Sequence, residues 1–165
     1  MEYSIRKAKI GDESILAYIQ TESWKAGFDG ILPNDVLEKC TQIDRVTANY
    51  KKILEENRFA CYILSVDDEP HLIALWGKSR DSEMSEYAEL LCIHSLQSRW
   101  RMGFGRIMMD TVLRDMKENG YCRVMLWVFE ENKRAIGFYE NLGFKFFGKV
   151  KPNIVPREIC YEKEL

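Results

Sequence analysis

Histidine is nearly absent from this chain: His71 and His94 are its two imidazoles in 165 residues. No Cys pair stands at metal-ligand spacing either, so neither a zinc centre nor a Ser-His-Asp triad has its usual parts, and no metal site is expected. The five cysteines, Cys40, Cys61, Cys92, Cys122 and Cys160, are odd in number, far apart and mostly embedded in apolar segments. They read as buried free thiols of a reducing compartment, not as a disulfide framework. Net charge is small as well: 24 Lys and Arg face 26 Asp and Glu, a balance of −2 that offers no general attraction to nucleic acid or an anionic membrane. Any phosphate ligand must therefore be held locally. Long apolar runs are missing too, since stretches such as Val124 to Phe129 suit buried strands and fall far short of a bilayer span. Met1 is followed by Glu2, Tyr3 and Ser4 instead of a basic stretch and an apolar core, so a soluble, cytoplasmic protein without a secretory signal is expected.

What is present is the composition of a folded domain: 46% hydrophobic, 12% aromatic and 30% charged residues, which excludes disordered and collagen-like readings. The length suits one domain over residues 1–165, and no internal repeat or linker interrupts it. Tyr3 to Lys7 alternates like a short strand. Gly11-Asp12 offers an N-cap to a helix on Ile15, Leu16 and Ile19, running to about Lys25. Val36, Leu37 and Cys40 predict a second helix, and Val46, Tyr50, Ile53 and Leu54 a third, capped by Asp44. Phe59–Val66 and His71–Lys78 form a predicted hairpin about Asp67-Asp68-Glu69-Pro70. Tyr87–Ser95 is apolar on both alternating sets, as a central strand covered on both faces would be. A helix follows from Phe104 to Asn119-Gly120, then a strand over Arg123–Phe129, which the crossover makes parallel to its predecessor. Another helix runs from near Asn132 to Gly143, and Lys145–Val150 and Ile159–Glu164 close the sheet. The expected class is α/β, a mixed sheet with helices on its faces.

The segment Arg99-Trp100-Arg101-Met102-Gly103-Phe104-Gly105-Arg106 sits where the central strand ends and a helix begins. Gly103 and Gly105 let the backbone approach a ligand, while the helix's first N–H groups and positive dipole end favour an anion. From Gln97 to Arg106 there are three arginines and no acid, a local positive patch suited to a polyphosphate. A Rossmann fingerprint needs a third glycine where Met108 stands, and a P-loop needs Gly-Lys-Ser/Thr; both fail.

This segment resembles motif A of the GNAT acetyltransferase superfamily, Q/R-x-x-G-x-G/A, with Gly103 and Gly105 on the two glycines. Trp100 departs from the Gln or Arg position, leaving Arg99 or Arg101 to supply the polar contact. Downstream, Asn132-Lys133-Arg134-Ala135-Ile136-Gly137-Phe138-Tyr139-Glu140-Asn141-Leu142-Gly143-Phe144 looks like the family's N-x-x-A-x-x-F-Y-E-x-x-G-F motif, and Glu89-Leu90-Leu91-Cys92-Ile93-His94-Ser95 is similar to its E-L-x-x-I-Y-V strand. The resemblance spans essentially the whole chain. It implies the GNAT acyltransferase fold: a mixed, mostly antiparallel sheet with one parallel pair splayed for acetyl-CoA, and helices on both faces.

The resemblance further implies an N-acetyltransferase that moves an acetyl group from acetyl-CoA (coenzyme A) to a primary amine of a small molecule or peptide by direct attack in a ternary complex; the alternative is a non-catalytic acyl-CoA sensor. The pyrophosphate would lie on the amides of Arg101, Met102, Gly103, Phe104, Gly105 and Arg106. The pantetheine arm would pair with strand backbone near Ile93 and Ser95, and an N–H near Ile93 or His94 would polarise the thioester carbonyl. Asn132 and Tyr139 are two helical turns apart on one face, about 10 Å along the axis, so one helix touches the arm midway and near the sulfur. Tyr139 is the expected acid for the leaving thiolate. Glu89 is the expected base, directly or through water, its alternative being a strand residue paired to a nearby cation. Trp24, Phe28 and Trp76 are candidates to line the acceptor pocket, and Asp81, Glu83 and Glu86 to attract a cationic amine. No nucleic-acid or membrane partner is expected; a homodimer is compatible with the sequence, which sets no interface for one.

Overall fold

The computed structural model describes residues 1–152 and 155–165. Its strands are β1 (Tyr3–Lys7), β2 (Ala60–Val66), β3 (Glu69–Lys78), β4 (Ala88–Ser95), β5 (Arg123–Phe129), β6 (Lys145–Val150) and β7 (Glu158–Glu164). The helices are α1 (Glu13–Gly27), α2 (Asn34–Cys40), α3 (Ile43–Glu56), α4 (Phe104–Glu118) and α5 (Lys133–Asn141). One seven-stranded sheet runs in the order β1-β2-β3-β4-β5-β7-β6. Every pairing is antiparallel except β4 with β5. The right-handed crossover through α4 places β5 beside β4.

The predicted elements are present, with shifts that have local causes. The hairpin turn is two residues, Asp67-Asp68, both at positive φ (50° and 65°), because pairing continues to Val66 opposite Glu69; this is the backbone that the twist of a hairpin favours. α1 runs past Lys25 to Gly27. Asp44 does not cap α3: Gln42 stands at the N-cap and Asp44 lies in the first turn, where a carboxylate still meets the positive end of the dipole. Asp12 occupies the N-cap of α1 without a capping bond. Its carboxylate instead receives both arms of the Arg6 fork, at 2.7 and 2.8 Å, and the Lys9 N–H at 2.8 Å, tying β1 to the start of α1.

Each face of the sheet carries its own core. On one face the apolar stripe of α4 (Phe104, Met108, Met109, Val112, Met116) and Tyr139 of α5 pack on Leu64, Leu72, Ala74, Leu90 and Leu126. On the other, Leu16, Ala17 and Ile19 of α1 and Val46 and Tyr50 of α3 pack on Cys61, Ile63, Ile73 and Leu75. Trp76 belongs to the first core, with its indole N–H on Asp115, and so is not an acceptor-pocket residue. The thiols correct a second expectation: Cys61 and Cys160 are buried, Cys40 and Cys92 are half-buried, and Cys122 is exposed. Among the described residues no helix is long and apolar enough to cross a membrane.

The Asp12 cluster yields a stability prediction. Arg6 holds the carboxylate below its ordinary range against the opposing effect of burial. A depressed folded value contributes stability above the unfolded pKa, near 3.8, and loses it as pH falls through and below that point. Asp12→Asn is expected to cost about 1.5–3 kcal/mol at pH 7, and the gap to wild type should close below pH ~4. Urea denaturation across pH checks both; a gap independent of pH would show that the charge contributes nothing.

Candidate active site

The site begins where two strands stop pairing. β4 and β5 share only Ala88 opposite Val124 and Glu89 opposite Met125; beyond these they part. β4 remains bound to β3 as far as Ser95, with a bulge where Leu75 faces Cys92 and Trp76 faces Leu90. β5 remains bound to β7 along its whole length. Backbone groups on the facing edges thus have no strand partner. A cleft of about 1400 Å³ opens there, reaching from the helix start at Gly103 to α1 and α3 on the other face of the sheet.

At one end of this cleft lies the predicted anion cradle. Gly103 is the N-cap of α4 with φ of 89°, a left-handed conformation that costs glycine nothing, and a Cβ built on it would meet no atom within 4 Å. The space before it is open to a ligand. Gly105 has a different reason: its Cβ would stand 3.2 Å from the Phe138 ring, so this glycine lets α4 and α5 pack. None of the backbone N–H groups from Arg101 to Arg106 donates to another described backbone carbonyl, as the first turn of a helix requires. Arg101, Met102 and Arg106 are exposed and Phe104 is buried beneath them. Arg99 also lines the cleft and donates through Nη1 to the Val66 carbonyl at 3.2 Å.

α5 supplies the second wall. Asn132 caps it, its Oδ1 accepting from the Ala135 N–H at 3.2 Å, which leaves the side-chain amide N–H groups facing the cleft it lines. Tyr139 also lines the cleft and is 8% exposed. Its hydroxyl makes no hydrogen bond within the described residues, yet no fully buried side-chain polar atom among them lacks a partner; the hydroxyl therefore opens onto the cleft. Burial holds its pKa well above that of a free phenol, Arg134 opposing only in part, so the group is a proton donor at neutral pH.

β4 lines the floor with Cys92, Ile93, His94 and Ser95. The Ser95 carbonyl is already taken by the Trp100 indole N–H at 2.9 Å, so of the two expected backbone anchors only the Ile93 region stands clear of it. Burial pushes the Cys92 thiol up to about 12, which keeps it protonated and unreactive. Trp24 of α1 donates its indole N–H to His94 Nε2 at 3.2 Å, so the ring proton of neutral His94 is on Nδ1. Glu89 is 2% exposed and does not line the cleft. Its carboxylate receives the Arg80 backbone N–H at 2.9 Å, Nε at 3.1 Å and Nη2 at 2.7 Å, and it is Arg80 that reaches the cleft wall.

The end of the cleft where an acceptor was expected was only partly visible in the sequence. Trp24 and Phe28 do line it, the latter edge-on to Phe129 at 5.1 Å. Gln20, Tyr50, Ile53, Phe59, Arg80 and Trp127 join them. Asp81, Glu83 and Glu86 do not: Lys149 binds both Asp81 and Glu83, and Glu86 is exposed outside the cleft.

A central parallel pair that parts beside a helix-capping glycine makes a cleft with room for an extended, anion-bearing ligand, and comparison with known proteins supplies the family. A profile described as "Acetyltransferase (GNAT) family" matches residues 24–144, and the chain belongs to that family. It is 26% identical over 142 residues to the uncharacterized N-acetyltransferase YuaI of Bacillus subtilis (strain 168), covering 83% of this chain and 77% of that one. In fold it resembles the PaiA N-acetyltransferase of Thermoplasma acidophilum, solved in complex with coenzyme A (TM-score 0.83, 21% identity, 100% of both chains). An acetyltransferase of Thermus thermophilus is similar at TM-score 0.76 and 16% identity, over 100% of this chain and 98% of that one.

The Trp24–His94 contact is testable directly. Burial lowers the His94 pKa from its ordinary 6.5 to about 4, so the ring is expected to stay neutral at pH 6. A lowered histidine value means stability present above pH ~6.5 and lost as pH falls toward the folded value. Ring-proton NMR shifts followed from pH 7 to 4 check this, with Trp24→Phe expected to move the midpoint upward by removing the donor to Nε2. A wild-type midpoint near 6.5 would contradict the contact.

Proposed function

We propose that the protein is an acetyl-CoA-dependent N-acetyltransferase, one domain over the whole chain, acting by direct attack of a primary amine of a small molecule or peptide in a ternary complex. The observation that carries this reading is the parting of β4 from β5 after Glu89 and Met125, directly beside the open backbone at Gly103. The residues present fit coenzyme A: open space and unpaired N–H groups suit its diphosphate, and an unpaired strand edge suits an extended arm with amide groups. Acetyl-CoA supplies an acyl group activated as a thioester.

The chain's own residues do the rest. The amides from Arg101 to Arg106 hold the diphosphate, the Asn132 amide and the backbone at Ile93 hold the arm, and an N–H near Ile93 or His94 polarises the carbonyl. Tyr139 holds its proton until charge appears on sulfur, then donates it. Cys92 stays a thiol, so no acyl-cysteine intermediate competes with direct attack. For Glu89, the Arg80 fork favours the second of its two roles: it positions Arg80 at the acceptor end, and the amine loses its proton to water.

Release of free thiol from acetyl-CoA against polyamines, aminoglycosides, amino acids and peptide N-termini tests the activity. Turnover with at least one amine is expected; coenzyme A binding with no turnover across the panel would assign a sensor instead. Tyr139→Phe keeps the ring and deletes the proton, so the fold and acetyl-CoA affinity should persist while kcat falls about 10²-fold to 10⁴-fold. Unchanged turnover with chemistry rate-limiting would reduce Tyr139 to a packing residue.

A further inference from the structure

Trp100 stands where the family's motif has Gln or Arg, and its contacts show what replaces that polar group. Its indole N–H is pinned to the Ser95 carbonyl at the end of β4. The Arg134 guanidinium lies 3.6 Å from the Trp100 ring centroid. Arg134 is the second residue of α5, so this stack joins the loop after β4 to the helix after β5 across the mouth of the cleft. α1 leaves room for it, since a Cβ on Gly27 would stand 3.0 Å from Arg134 Nη2.

No acid answers this cation. Among the described residues lining the cleft, the carboxylates are Glu56 of α3 and Glu158 of β7. Neither contributes to the electrostatics of Arg134: burial and Arg101 both disfavour its charge, and only Tyr139 opposes them. A cation so placed is relieved by an anion arriving from outside. A guanidinium held over an indole by its carbon makes no hydrogen bond through that contact, and the Arg134 N–H groups have no acceptor among the described residues. Arg99 also lines the cleft, but its Nη1 is engaged with the Val66 carbonyl and no aromatic ring among the described residues holds its guanidinium, as Trp100 holds that of Arg134.

We propose that Trp100 is a positioning residue that holds Arg134 beside the Gly103 cradle as the side-chain clamp on the coenzyme A diphosphate, the pair replacing the Gln or Arg of the motif. The inference rests on the coenzyme A reading above. It assigns ligand contact to Arg134 and alignment to Trp100.

Titration calorimetry with coenzyme A and with 3′-dephospho-coenzyme A tests it on wild type, Arg134→Gln, Trp100→Leu, Trp100→Phe and the Trp100→Leu/Arg134→Gln double variant, each checked for folding by circular dichroism. Arg134→Gln is expected to weaken both ligands roughly 10-fold to 100-fold, the scale of one charge-assisted hydrogen bond. Trp100→Leu should lose nearly as much. Trp100→Phe keeps a π face without the indole N–H and should recover most of the affinity. The double variant should be no weaker than Arg134→Gln by more than about twofold, because the two residues act as one unit. In kinetics the loss should fall in the acetyl-CoA KM and not in kcat. Wild-type affinity in Trp100→Leu, or additive losses in the double variant, overturns the coupling. A loss that disappears with 3′-dephospho-coenzyme A places Arg134 on the 3′-phosphate and overturns the diphosphate assignment. Wild type that binds neither ligand refutes the coenzyme A reading itself, an outcome separate from these.

Discussion

Everything in the site depends on a parallel strand pair that is held together at one end only. β4 is bound to β3 along its length and β5 to β7 along its length, so the sheet consists of two halves, β1-β2-β3-β4 and β5-β7-β6, joined through Ala88–Val124 and Glu89–Met125. The bulge that sets Leu75 against Cys92 and Trp76 against Leu90 bends β4 just beyond this hinge, as an extra residue in one strand does. Backbone groups left facing a gap cost about 1–3 kcal/mol each when buried without a partner. The cleft keeps them wet and available to an extended ligand, so the defect in the sheet and the binding surface are the same feature.

The second constraint is electrostatic. A chain with net charge −2 presents Arg99, Arg101, Arg106, Lys133 and Arg134 at the lining of one cleft. Two acids nearby in sequence are engaged elsewhere: Glu130 by Arg157, and Asp115 by Tyr62 and Trp76. Local positive potential therefore arises from where the basic residues gather and not from an excess of them over the whole chain. At the other end of the cleft the pattern reverses. Arg80 in the wall is paired with Glu89 buried behind it, and Glu158 with Lys151 at 2.8 Å, so this end combines compensated pairs with aromatic walls.

This contrast explains how far the sequence could be read. The cradle was legible because its chemistry is contiguous: strand end, glycines, arginines and helix start follow one another from Ser95 to Arg106, and Asn132 and Tyr139 share one helix. Asp12 and Glu89 were legible as residues but not in their partners, since a carboxylate's choice between a cap, a base and an arginine fork is decided by side chains brought in by tertiary packing. The acceptor half was least legible. Gln20, Tyr50, Phe59, Arg80 and Trp127 come from two helices, a strand flank, a loop and a strand, and each also fits an ordinary core or surface pattern. Trp76 shows the converse, an aromatic whose indole N–H is satisfied by Asp115 inside the core. No periodicity distinguishes it from Trp24, which reaches the cleft and binds His94.

The state of Tyr139 closes the argument about chemistry. A general acid is commonly tuned toward neutrality so that it can both hold and release its proton, yet burial drives this phenol the other way. That is workable only if the group it protonates is a stronger base in the same surroundings than it is in water. In the proposed reaction a thiolate released into the gap between β4 and β5 would meet that condition, since burial that raises the phenol raises a thiol as well, as it does for Cys92 on the same floor. Donor and leaving group of the proposed reaction would shift in the same direction, and the proton would move when charge develops on sulfur. Such a transfer asks for fixed walls more than for a tuned acid, and the hinge at Glu89–Met125, with α4 and α5 packed closely through Gly105 and Phe138, is how this sequence builds them.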